Sequence, residues 1–124
     1  MRVKELMHQA IVVEKDITLA EAAKLMSDEM TDSLLLASNG KLKGIVTQRD
    51  VLKHFGKSAR ISDIMSSKLV TITPQTTVND ALAIMKEKKI KRLPVVSGEK
   101  LAGIVSLTDI AAHVDELEGD FFFE

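Results

Sequence analysis

The chain has no cysteine, no tryptophan and no tyrosine. Without cysteine there is no disulfide and no thiolate zinc site to staple a small domain. The same absence suits a reducing compartment, and the chain is read as cytoplasmic. Four phenylalanines are the only aromatic residues, so a core has to be assembled from Val, Ile, Leu, Met and Ala. An excess of one charge is lacking too: 17 Lys and Arg face 18 Asp and Glu, leaving a net charge of −1. That argues against the basic face that nucleic acid needs. No apolar run approaches the ~20 residues of a membrane span. The opening MRVKELMHQAIVVEKD sets charges beside its short apolar run, unlike a signal peptide. The expectation is a protein with no membrane partner and no nucleic-acid partner. Two separate domains of roughly sixty residues would each be marginal, which favours one unit or two halves sharing a core.

What the chain does have is a repeat. LKGIVTQRDV at 42–51 returns as LAGIVSLTDI at 101–110. A shift of 59 residues, Asp50 to Asp109, overlays Thr18, Ala22, Met26, Leu34, Ser38, Gly44, Ile45 and Val46 on Thr77, Ala81, Met85, Leu93, Ser97, Gly103, Ile104 and Val105. VKELM at 3–7 meets ISDIM at 61–65 after a one-residue slip. A repeat of this length is one supersecondary unit that cannot bury its apolar face alone.

Each copy reads the same way. A short strand comes first, at 11–13 and 69–72. A helix follows, with Leu19, Ala22, Ala23, Met26 and Met30 on one stripe and Val78, Ala81, Leu82 and Met85 on the other. Thr18 with Glu21, and Thr77 with Asp80, make capping-box-like starts. Two apolar runs then flank a turn: SLLLA, SNGK and GIVT in one copy, RLPVV, SGEK and GIVS in the other. These are hairpins whose continuous apolar runs predict strands covered on both faces. A last helix begins near Asp50 and Asp109. The fold class is α/β (α+β): two β-α-β-β-α repeats about a pseudo-two-fold axis. The boundaries are 1–56 for the first repeat, 57–117 for the second and 118–124 for a Phe-rich tail, with FGKSAR at 55–60 as the linker.

Thr47 and Ser106, or Asp50 and Asp109, suit the caps of the last helix in each copy. The same positions suit a ligand. A hydroxyl and a carboxylate three apart at a strand-to-helix junction can meet phosphate and accept from a vicinal diol, and Lys91 and Arg92 open the neighbouring strand, where a guanidinium can fork onto phosphate. Diol acceptor, phosphate donor and apolar strand edges together describe an adenosine nucleotide site.

On ISDIMSSKLVTITPQTTVNDALAIMKEKKIKRLPVV with LAGIVSLTDI, and the weaker copy VKELMHQAIVVEKDITLAEAAKLM with LKGIVTQRD, the chain resembles the tandem cystathionine-β-synthase (CBS) domain pair, or Bateman module, over residues 3–115. The resemblance implies a regulatory module binding AMP, ADP or ATP in a cleft between repeats, with S-adenosylmethionine as the alternative and no required cofactor. Carried over, Asp109 holds the ribose hydroxyls, Ser106 and Thr108 contact ribose or phosphate, Arg92 with Lys91 meets phosphate, and Ile104 lines the adenine pocket. His8, Ile11, Val12 and Ser33 complete this stronger site. The weaker site uses Ile45, Thr47, Arg49 and Asp50, closed by Ser66, Leu69 and Val70. It has Ser33 where the other has Arg92 and Asp32 where the other has Lys91, leaving Arg49 as the substitute. The family's face-to-face association implies a homodimer, and regulation implies a partner protein in trans. A ligand-free oligomerisation module is the further alternative.

Other features carry less. His8, His54 and His113 lack the convergence a metal needs, and the methionines fill core gaps. KEKKIKR at 86–92 is a cationic helix end. DELEGDFFFE at 115–124 either packs on the module's own surface or meets another subunit. There is no G-x-x-x-x-G-K-[ST] and no G-x-G-x-x-G, and the two aspartates make no convincing acid/base pair, so the chain is not read as an enzyme.

Overall fold

In the computed structural model, residues 1–113 are described. They form two compact units. One is contiguous, Ala10–Leu69, and the other is composite, joining Met1–Gln9 to the chain from Val70 onward.

The contiguous unit begins with β1 (Val12–Val13) and α1 (Leu19–Asp28). Thr18 starts α1 as its pattern predicts. Glu21 N donates to Thr18 Oγ1 at 3.2 Å and Thr18 N donates to Glu21 Oε1 at 3.0 Å, satisfying donors the helix leaves unpaired. The Thr18 N–H foremost, then the Thr18 hydroxyl, which donates to the same Oε1 at 3.0 Å, hold the Glu21 carboxyl below its ordinary value. Ala22 and Met26 are buried, but the stripe stops short of its expected end. Met30 lies past the helix with φ of 51° and is 92% exposed.

The hairpin is β2 (Ser33–Ser38) and β3 (Lys41–Thr47). Asn39 and Gly40 turn it with φ of 54° and 77°, the positive pair that a two-residue loop demands. Residues Ser33 to Ala37 are all buried. The sheet order is β1-β2-β3, with β1 parallel to β2 and β2 antiparallel to β3. A bulge between Leu36 and Ala37 accommodates Lys43. Two short helices close the unit, α2 (Gln48–Lys53) and α3 (Ile61–Ile64). The end of the expected linker is part of the fold: Leu19 N donates to Ala59 O at 3.1 Å and Ile61 N to Ile17 O at 2.9 Å. Ile61 joins a core with Ala22, Met26, Leu34, Leu36 and Val46.

The composite unit repeats this plan with α4 (Val78–Lys88), β4 (Arg92–Ser97), β5 (Lys100–Ser106) and α5 (Leu107–Ala111). The place of α3 is taken by a 3-10 turn, Val3–Glu5. Arg2 sends Nη1 to Gln75 O at 3.0 Å as Arg60 sends Nη1 to Asp16 O at 2.8 Å in the other unit. Val3 is fully buried in a core with Leu6, Ala81, Met85, Leu93 and Val105.

One expected strand fails to form. Residues 69–72 contribute only a bridge, Ile72 to Val95. In the contiguous unit, Leu35 N donates to Ile11 O at 2.9 Å. Its counterpart in β4 is Pro94, which has no N–H to give, so the ladder cannot extend. The 118–124 tail and its three phenylalanines lie outside the described residues.

Candidate functional site

Ser106 is the last residue of β5 and the N-cap of α5. Asp109 N donates to Ser106 Oγ at 3.0 Å, and Ser106 N donates to Asp109 Oδ2 at 2.8 Å. Both residues are therefore caps, reciprocally, and the helix begins two positions earlier than Asp109. A second donor reaches the same carboxylate oxygen: His8 Nδ1 lies 2.9 Å from Asp109 Oδ2. Oδ1 takes no hydrogen bond among the described residues.

His8 is placed by backbone. His8 N donates to Ile104 O at 3.0 Å and Ile104 N donates to His8 O at 2.9 Å. Gly103 permits this closeness, because a Cβ there would lie 2.7 Å from His8 O. Arg92 stands opposite Ser106 in the β4–β5 ladder, and Leu107 N donates to Lys91 O at 2.8 Å. Thr108 is exposed on the first turn of α5 and Ile104 is buried. Of the ten residues expected at the stronger site, His8, Lys91, Arg92, Ile104, Ser106, Thr108 and Asp109 thus belong to one unit. Ile11, Val12 and Ser33 belong to the contiguous unit. The His8–Asp109 pair is partly exposed, with side chains 49% and 23% accessible, so its net worth is at most about 1 kcal/mol.

The contiguous unit carries the parallel arrangement. Asp50 N donates to Thr47 Oγ1 at 3.2 Å, and Thr47 N donates to Asp50 Oδ2 at 2.9 Å. Here the second donor to Oδ2 is the Thr47 hydroxyl itself, at 3.0 Å. Ser66 stands where His8 stands, in a double backbone bond with Ile45. Ser33 opposes Thr47, and Gln48 N donates to Asp32 O at 2.8 Å, so Ser33 and Asp32 occupy the Arg92 and Lys91 positions as the repeat implies. Arg49 is exposed on α2, Leu69 closes this unit, and Val70 belongs to the composite one.

Two features were not read from the sequence. His8 contacts Asp109 directly; the one-residue slip of VKELM against ISDIM is the signal that would have aligned His8 with Ser66. His54 and His113, which stand at the repeat offset, donate Nδ1–H to the carbonyls of Asp50 and Asp109 at 2.9 and 2.8 Å. Two hollows of about 280 and 390 Å³ lie elsewhere in the contiguous unit, along α1 and α2, lined in part by Met30, Leu52 and Phe55. They include none of the expected ligand residues. No described helix is long and apolar enough to cross a membrane, and no described cluster of three or more His, Cys, Asp or Glu could hold a metal.

The CBS-domain family model matches residues 3–57 and again 61–116. The chain belongs to the CBS domain family. It is 34% identical over 110 residues to the CBS domain-containing protein YhcV of Bacillus subtilis, covering 85% of this chain and 79% of that one. It is 35% identical over 106 residues to inosine-5′-monophosphate dehydrogenase of Korarchaeum cryptofilum, yet spans only 22% of that enzyme. The CBS pair of protein MJ0100, crystallised with 5′-methylthioadenosine and S-adenosyl-L-methionine, superposes with a TM-score of 0.86 at 27% identity, covering 94% of this chain and 97% of that one. The hexameric CBS-CP12 protein of bloom-forming cyanobacteria gives a TM-score of 0.84 at 27% identity, covering 95% of this chain and 73% of that one. The fold is the mixed α+β fold of a CBS pair, a regulatory, ligand-binding module.

Proposed function

We propose that this CBS pair senses an adenosine nucleotide, AMP, ADP or ATP, and signals to a partner protein in trans. The observation that carries the proposal is the Asp109 carboxylate. It is fixed at the β5–α5 junction by Ser106, takes no hydrogen bond on Oδ1 among the described residues, and lies at the strand end where Arg92 opposes Ser106. A vicinal diol can donate to that carboxylate. Ser106 and Thr108 lie beside it for ribose or phosphate, Arg92 and Lys91 supply charge for phosphate, and Ile104, buried within β5, is the position the family resemblance gives to the adenine pocket. Asp50, Thr47, Ile45, Arg49, Ser66 and Leu69 form the second, weaker apparatus, which lacks the Arg92 equivalent. Ligand acts by population shift: it favours whichever arrangement binds it better.

S-adenosylmethionine is the second reading, favoured by the MJ0100 complex. Thermal unfolding with each ligand separates the two. A true ligand at 100 times its dissociation constant adds about 2.7 kcal/mol of stability. Asp109→Ala removes the larger part of the shift for every adenosine compound and leaves only what the Asp50 apparatus supplies, whereas Arg92→Ala removes that part for nucleotides and spares S-adenosylmethionine. A chain indifferent to all of them is an oligomerisation module instead. Exposed Met30, Leu52 and Phe55, at 92, 64 and 86%, support self-association, and we read the chain as a cytoplasmic homodimer that sedimentation can test.

A further inference from the structure

We propose that His8 competes with the ligand for Asp109, so that the affinity of the composite unit falls as the pH falls. This deepens the adenosine reading and rests on it. In both units the cap carboxylate spends Oδ2 on two donors, and Oδ1 takes no hydrogen bond among the described residues. A diol that grips the carboxylate across both oxygens must displace one donor from Oδ2. The backbone N–H belongs to the helix cap and stays, so the side-chain donor yields.

That donor differs between the units. In the contiguous unit it is the Thr47 hydroxyl, neutral at every working pH, which leaves by turning about one bond. In the composite unit it is the His8 imidazole. An imidazole ordinarily becomes cationic below about pH 6.5, and a cationic donor holds a carboxylate more strongly than a neutral one. The His8 backbone is pinned to Ile104 beneath Gly103, so only the side chain moves, and at 49% exposure it has room to do so. Ligand entry thus costs the imidazolium its anion, releases a proton, and is opposed by acid.

Arg92 stands opposite Ser106 and Lys91 O accepts from Leu107 N at the head of β4, and Lys4 and Glu5 lie on the turn before His8. Just past α5, His113 donates to Asp109 O at 2.8 Å. It is kept in every variant, so differences between variants isolate His8.

The test measures 5′-methylthioadenosine binding by calorimetry at pH 8.0 and 5.5, on the full chain with Asp50→Ala to silence the other unit. This probe has the diol and no phosphate, so its own charge is constant. With His8 present, affinity is expected to drop about threefold to tenfold at the lower pH, within the limit of one released proton. His8→Ser, which installs the residue Ser66 supplies in the other unit, binds more tightly at pH 5.5 and shows a flat profile. His8→Gln, a donor that does not titrate, is flat as well. Equal pH slopes with and without His8, or weaker binding by His8→Ser at both pH values, overturn the competition while leaving the adenosine reading intact. No binding by any protein at either pH overturns both.

Discussion

A methyl group at position 103 would sit 2.7 Å from the carbonyl oxygen of His8, and one at position 44 would sit 2.9 Å from that of Ser66. Backbone cannot retreat from either approach without breaking the paired bonds to Ile104 or Ile45. Gly103→Ala is therefore expected to cost about 1–3 kcal/mol, read as a lower urea midpoint, and to release His8 from Asp109. Sequence reasoning found both glycines at matching positions of the repeat but could not say what approached them, because His8 and Ser66 lie outside the hairpins. It also left open whether Ser106 or Asp109 was the cap. The two side chains cap one helix together, and this reciprocal box also holds the carboxylate in place for a ligand. Met30 marks the opposite failure. Its spacing continues the α1 stripe, but the chain leaves the helix at Glu29, and periodicity alone does not locate an ending.

At the scale of elements, hairpins and capped helices were legible because their signals are local: Asn-Gly between apolar runs, Thr before an acid, a repeated Gly-Ile-Val. The short elements at 3–5 and 61–64 were not, since neither stands without its long-range partner. The tie that holds α3 illustrates this. Ser62 donates its backbone N–H to Asp16 Oδ1 at 3.0 Å and its hydroxyl to Asp16 Oδ2. The hydroxyl bond first, then the backbone bond, hold the Asp16 carboxyl below its ordinary 3.8. A carboxylate depressed on folding adds stability above its unfolded value and loses it as the pH drops through the folded one. Asp16→Asn should therefore lower the urea midpoint at pH 6, with the gap narrowing as the pH is taken below 3.8. The effect is small, because the side chain is largely solvated. Pro94 teaches a related lesson about strands: the run at 69–72 looked as extended as 11–13, and the partner's missing N–H decided otherwise.

For the whole molecule, the sequence repeat and the compact unit are different objects. Each repeat begins with a short helical piece whose buried residue, Val3 or Ile61, sits in a core with residues of the other repeat. Cutting between the repeats removes that residue from both cores. A fragment of residues 10–69 keeps Ile61 with Ala22, Leu34 and Val46, whereas 1–57 lacks it and exposes Val3. The first fragment should show more helical ellipticity and a more cooperative melt than the second, although their lengths are similar; the reverse order would mean that the repeat is the folding unit after all. Either piece alone is of marginal size.

Synthesis on the ribosome meets this arrangement in an awkward order. His8 and Asp109 are 101 residues apart, a stretch that takes about 5–20 s to translate at typical rates. The contiguous unit can close meanwhile, but residues 1–9 emerge ahead of it and are claimed after it. Their short apolar surface, Val3 and Leu6, has to wait in water or in the grip of a chaperone until β5 arrives to receive it.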